Sequence, residues 1–297
     1  MSVETRTSLK GVKTAAEAME AAGLCWPVED REMLTSTGKE ISTHKAIVRG
    51  DTGDVLGVVG KGYKAIQNST AFSFFDAARQ SFGAEYTSAE SLFGGKRIVL
   101  TAKLPGVMEP KLGDIVERTI QLMNSHDGTS SLFCSFMGKR LVCMNGMTRS
   151  VKEAYVYLRH TSKVESRAKE AFRALNISAQ FFAEFEIQCK YLTQKIVDKQ
   201  MVSRFLDEVI GSPYTTDEST KEVVESVRIQ NKRDNVVEKF EHGLGNSGKT
   251  AWDLYNGLTE YVDHGTNLTN EDKRTNSALF GSGADIKSKA FDVALAL

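Results

Sequence analysis

The sequence predicts an α+β protein: a mostly antiparallel sheet with an inserted helix, followed by a helical C-terminal part. Three observations predict it. Residues 44–104 hold runs of period two separated by Asp-Thr-Gly-Asp and Gly-Gly turns, the pattern of hairpins. Between them lies an aromatic segment at helical spacing, residues 71–82. From about residue 150 the apolar positions recur at helical intervals. The division expected from these patterns is an N-terminal helical segment 1–38, a β-rich core 39–161, and a helical region 162–297 packing on that core.

Taken in order, residues 12–22 are Ala-rich and stop at Gly23 and Trp26-Pro27, which predicts a short helix. Residues 44–49 and 55–59 flank the turn Asp51–Asp54 and predict a hairpin. Asn68-Ser69 offers a helix N-cap for 71–82. Residues 84–105 read as a second hairpin turning at Gly94-Gly95, and 115–124 and 130–145 as further strands. Helices are expected over 149–160, over 163–208 as one or two, over 217–230 and over 250–263. In the last of these Trp252, Tyr255, Leu258 and Val262 fall on one face, as core packing requires.

Composition narrows the function classes. The 297 residues carry 38 Lys+Arg and 38 Asp+Glu, so a strongly basic nucleic-acid coat is excluded, while a local basic groove is not. Cys25, Cys134, Cys143 and Cys189 lack metal-ligand spacing and are expected to be free thiols in a reducing compartment. The polar start MSVETRTSLKG has no apolar run behind it, and no stretch approaches a membrane span. A cytoplasmic location, without a membrane partner, is the expectation. No cofactor, metal framework or common catalytic motif is legible, which points away from the easily recognised enzyme classes.

Three constellations could carry chemistry. Gly243–Thr250 satisfies G-x-x-x-x-G-K-[ST] letter for letter, but the preceding Asn235–His242 is charged and helical in pattern, where a phosphate loop needs an apolar strand. It reads as an interhelical loop. Asn124–Ser130 is a dense polar cluster in which His126 and Asp127 could serve as a base or metal pair if the fold brought a partner; the plainer reading is an Asp-Gly turn. Third, Lys61, Lys64, Lys96, Arg97, Lys139, Arg140 and Arg159 sit at strand edges with Tyr63 nearby. Sheet proteins use such residues to hold a single-stranded backbone and stack its bases.

The run Gly57-Val-Val-Gly-Lys-Gly-Tyr63-Lys-Ala-Ile-Gln67-Asn68, the cluster Asn124–Ser130, Arg140-Leu-Val-Cys143-Met-Asn145, Arg159-His160-Thr161 and Thr250–His264 together resemble the domain of unknown function 932 family, over roughly residues 40–290. The resemblance implies a chain carried by bacterial phages, prophages or plasmids, and it implies no activity. It adds weight to Arg140, Cys143, Asn145, Arg159 and His160. Relatives often have Asn-Thr after the Cys motif, where this chain has Asn145-Gly146. The leading expectation is therefore a single-strand nucleic-acid-binding protein of the annealing or recombination kind. In it Lys61, Lys64, Lys96, Arg97, Lys139, Arg140 and Arg159 would meet phosphates, with Tyr63 and His126 beside them. The alternative is a phage protein that binds or inhibits a host protein. The annealing analogy, which rests on fold order, also implies homo-oligomers.

Overall fold

A computed structural model describes residues 6–147, 155–161, 178–216, 223–266 and 270–297. The chain forms two compact units: Met1–Gly106 with Arg118–Phe136 and Lys152–Ala179, and Val107–Glu117 with Met137–Val151 and Gln180–Leu297. The class is α+β with a helical C-terminal part, as the periodicities require.

The first unit opens with β1 (Arg6–Ser8) and α1 (Ala15–Ala21). Thr14 caps α1 in a reciprocal capping box with Glu17. Strands β2 (Val28–Leu34), β3 (Glu40–Arg49) and β4 (Val55–Gly60) form an antiparallel three-stranded sheet in that order. The predicted 44–59 hairpin is its β3–β4 half. Strand β2 lies inside the expected helical segment 1–38. Its charged residues Glu29–Glu32 pair with the hairpin along β3, from Glu29 opposite Val48 to Glu32 opposite Lys45.

Helix α2 (Asn68–Ser81) buries Phe72 and Phe75 completely. It leads into β5 (Glu85–Leu92), a tight turn at Phe93–Gly95, and β6 (Arg97–Met108). Gly94 and Gly95 have φ of 69° and 99°, the left-handed backbone that makes glycine the residue for this turn. With β7 (Val116–Ser125), β8 (Leu132–Arg140), β9 (Asn145–Met147) and β10 (Tyr155–Leu158), they build a sheet of order β1-β5-β6-β7-β8-β10, with β9 also on β8. Ile98, Val99, Leu100 and Ala102 are all fully buried, so β6 is covered on both faces.

The helix expected over 149–160 is not what forms at its described end. Residues 155–158 pair antiparallel with β8, Tyr155 opposite Ser135 and Leu158 opposite Leu132. The sequence Tyr-Val-Tyr-Leu is β-branched and aromatic, and an available sheet edge decides the ambiguity. Residues 148–154 lie outside the described part, as do 162–177 of the long predicted helix.

The second unit is largely helical: α3 (Ser178–Gln194), α4 (Lys199–Val209), a β11–β12 ladder (Tyr214–Thr216 with Val223–Glu225), α5 (Val227–His242), α6 (Ala251–Glu260), α7 (Glu271–Phe280) and α8 (Ser282–Ala296). The helix expected over 217–230 is replaced, where described, by strand β12 and the start of α5. The predicted 250–263 helix is α6, continued by a π-helical turn at Tyr261–Gly265. It is buried on every side rather than on one face, from Ala251 through Glu260. Gly257 makes this feasible: a Cβ there would lie 2.6 Å from the backbone nitrogen of Phe240, so only glycine lets α5 approach so closely. Phe185, Tyr255 and Phe291 meet in the core, with ring centroids 5.1 Å apart for both Phe185–Phe291 and Tyr255–Phe291.

Candidate functional site

The β-rich unit gathers three separated motifs at one place. The 57–68 run, the 124–129 loop and residues 159–161 meet where β4 passes behind Asp127. A Cβ on Gly57 would stand 2.6 Å from the Asp127 Cα, so glycine at 57 is what lets strand and loop touch. Gly57→Ala should therefore cost about 1–3 kcal/mol through forced displacement. Gly60→Ala, with nothing within 4 Å of its Cβ, should stay within about 0.5 kcal/mol. Thermal unfolding of the two variants checks the contrast.

At the centre His126 is fully buried. Its Nε2 lies 2.9 Å from the Asn68 Oδ1. The Asn68 amide nitrogen donates to the Leu24 carbonyl, which leaves Oδ1 as acceptor. Nε2 therefore carries the proton, and Nδ1 is bare, with no partner among the described residues. Asn68 thus acts across the unit rather than as the plain helix cap its sequence suggests. Burial drives the His126 pKa down to about 3, helped by His160 nearby, so the ring is neutral. Trp26 packs edge-on against it at 5.6 Å, and Arg49 covers Trp26 at 4.7 Å.

His160 repeats the arrangement. Its Nδ1 donates to the Lys64 carbonyl at 3.2 Å, and the Lys64 amide returns a bond to the His160 carbonyl at 3.1 Å. Its Nε2 is buried without a partner among the described residues, as are the Asn124 Oδ1 and the Trp26 Nε1. Burial lowers the His160 pKa to about 4, against the pull of the Lys64 carbonyl and of Asp127. Tyr63 stacks on His160 at 4.7 Å and donates its hydroxyl to the Ser125 carbonyl. Burial first, and the Asp127 charge second, raise the Tyr63 pKa.

Asp127 does not orient His126. Its carboxylate accepts from the hydroxyls of Ser125 and Thr129 and from the Thr129 amide, and it faces Arg97 at 3.6 Å. Burial opposes its ionisation, but these hydrogen bonds prevail and hold its pKa below the usual value. The His-Asp neighbours in sequence thus serve different partners. The site offers two neutral imidazoles with fixed tautomers and free acceptor nitrogens, closed under an aromatic layer.

The predicted cations divide. Lys61, Lys64, Lys96 and Arg159 are exposed, and the last three adjoin this cluster. Lys64 is bonded to His160, Arg159 precedes His160, and the Lys96 carbonyl accepts from the His126 amide at 2.7 Å. Arg97 is tied to Asp127 and Thr129, and Lys61 lies 3.5 Å from Glu40. Lys139 and Arg140 belong to the other unit. Lys139 is half-buried, and Arg140 is completely buried, so Arg140 has no surface to offer a phosphate.

Instead Arg140 anchors the phosphate-loop-like string. Its Nε and one terminal nitrogen grip both oxygens of Asp114 at 2.7 Å each. The remaining donors reach the carbonyls of Leu244 and Gly245 and the Asn246 side chain. Trp252 donates its indole N–H to Asp114 at 2.8 Å. The string follows helix α5, not a strand. Its Lys249 and Thr250 amides and the Ser247 hydroxyl are given to Asp253. An internal carboxylate takes the donors that a phosphate loop turns on a nucleotide. Asn124, from the polar cluster legible in sequence, and Trp26 and Asn68, which sequence marks only as a helix stop and a helix cap, complete the first unit's cluster.

Fold and site define an α+β protein whose distinctive motifs build one buried polar centre in the β-rich unit. The chain belongs to the family described as Domain of unknown function (DUF932), whose family model matches residues 55–280. No curated protein and no solved structure gives a significant match. No described helix is long and apolar enough to cross a membrane, and no described cluster of three or more His, Cys, Asp or Glu could hold a metal ion.

Proposed function

We propose that this protein binds single-stranded nucleic acid over the surface of the β-rich unit around Tyr63 and the 124–129 loop. The observation that carries this reading is that the exposed Lys64, Lys96 and Arg159 all adjoin one cluster, with Lys61 on the same 57–68 run, although the chain as a whole is neutral. Lys64, Lys96 and Arg159 make no ion pair among the described residues. Such unopposed cations hold a phosphate backbone. Tyr63, half-buried and stacked on His160, is the ring beside which a base would stack. The phage or plasmid context that the family resemblance implies suits a strand-annealing or recombination role.

Fluorescence anisotropy with a labelled 40-nucleotide oligomer tests it. Four contacts at about 0.7 released counterions each predict a log Kd against log salt slope of about three. Lys64→Ala/Lys96→Ala/Arg159→Ala should flatten that slope to about one. Absence of any salt-dependent binding would sink the proposal.

A protein partner, such as a host factor, is the second reading. It is favoured by the exposed apolar side chains Tyr214, Val223, Val224 and Val227 on and beside the β11–β12 ladder. Nuclease-resistant recovery of one stoichiometric partner, lost on Val223→Ser/Val224→Ser, would support it.

A further inference from the structure

The helical unit contains a cleft of about 840 Å³, within the roughly 300–1,000 Å³ typical of small-molecule sites. Helix α5 contributes Arg228, Asn231, Lys232 and Asn235, positions that recur one turn apart on one helix face. The end of α6 and its π-helical extension contribute Leu258, Tyr261 and Val262, and the first turn of α8 contributes Ser282 and Ile286. Single π-helical turns within helices recur at functional sites.

The charge of this lining is one-sided. Among the described residues it contains Arg228 and Lys232 and no Asp or Glu, and neither cation has an ion-pair partner there. Folding alone gives little reason for the arrangement. Like charges one turn apart repel, and Arg228 stands in the first turn of α5, where no acidic residue is present and where the helix dipole favours an anion. The Thr266 hydroxyl also lines the cleft and is buried without a partner among the described residues. The apolar part of the lining is Val209, Leu258, Val262 and Ile286, with Tyr261.

We propose that this cleft binds a phosphorylated small molecule of mononucleotide size, with its phosphate at Arg228 and Lys232 and its flat apolar body against Tyr261 and the aliphatic lining. The Gly243–Thr250 string takes no part, and the site is independent of the nucleic-acid surface proposed for the other unit.

Titration calorimetry on the full chain with AMP, GMP, CMP and UMP, and with adenosine as the uncharged control, tests the assignment. At least one mononucleotide should bind with micromolar Kd, and adenosine at least tenfold more weakly than AMP. Arg228→Met/Lys232→Met should weaken mononucleotide binding at least tenfold with an unchanged circular dichroism spectrum, and Ile286→Trp should block the cleft sterically. Lys249→Met should have no effect. Failure of all four mononucleotides to saturate, or binding that survives both cleft variants, would overturn the proposal. So would an Arg228→Met/Lys232→Met chain that loses oligonucleotide binding while wild type binds no mononucleotide, because those cations would then belong to a nucleic-acid surface.

Discussion

Acidification from pH 7 to pH 4.5 should remove up to about 5 kcal/mol of the stability of the β-rich unit. The cause is the pair of buried histidines. In the unfolded chain both rings titrate near the ordinary value of 6.5, while burial holds folded His126 to about 3 and folded His160 to about 4. Above about 6.5 both states are neutral and stability is complete. Below it the unfolded chain takes up protons that the folded chain refuses, so each histidine costs about 1.4 kcal/mol per pH unit until its folded pKa is reached. The carboxylates fall in a different window. Asp127, held below the usual carboxylate value by its hydrogen bonds despite burial, contributes stability that is lost only as pH falls below about 4. The interval from 6.5 to 4.5 therefore reports on the histidines.

The measurement is convenient, because Trp26 lies in one unit and Trp252 in the other, and the chain has two tryptophans. In a Trp252→Phe background, urea unfolding followed by Trp26 fluorescence isolates the first unit. His126→Gln should roughly halve the pH dependence. A urea midpoint that stays level from pH 7 to pH 4.5 would show that these rings are not buried in neutral form.

Much of this architecture is written in local pattern. The turns at Asp51–Asp54 and Gly94-Gly95 and the spacing of Phe72 and Phe75 place both hairpins and α2 without tertiary information. What local pattern cannot supply is a partner. Strand β2 is charged along much of its length and becomes a strand only because β3 offers an edge. Residues 155–158 are drawn into the sheet in the same way by β8. The site follows the same rule. The polar character of 124–129 is visible in the letters, and so is the glycine-rich 57–62 run, but their contact depends on the Gly57 backbone lying against Asp127, some seventy residues away. The pairing of His126 with Asn68 rather than with its neighbour Asp127 is likewise a product of the fold. Conversely, Gly243–Thr250 carries a familiar string of letters, and its meaning is fixed by the helix before it and by Asp253, which uses its amides.

Arg140→Met should destabilise the helical unit by about 3–5 kcal/mol, because it leaves the Asp114 carboxylate buried without its countercharge. Asp114 is 4% exposed and would keep only the Trp252 indole and Lys111, whose ammonium lies 4.0 Å away. The effect should also spread along the chain. The carbonyls of Leu244 and Gly245 and the Asn246 side chain converge on the same guanidinium, so its loss releases the 243–248 loop, which should then exchange its amides faster and become open to proteolysis. Arg140→Lys should recover only a minor part, since an ammonium cannot bind both carboxylate oxygens in a fork and three loop acceptors together. The double variant Arg140→Met/Asp114→Asn removes both charges and should be more stable than Arg140→Met alone. That recovery separates the cost of an unpaired buried charge from the loss of packing around a large side chain. If the double variant were no better than the single one, Arg140 would act through its bulk and its loop contacts rather than through Asp114. Denaturant unfolding followed by Trp252 fluorescence in a Trp26→Phe background reads all three variants on the unit they belong to.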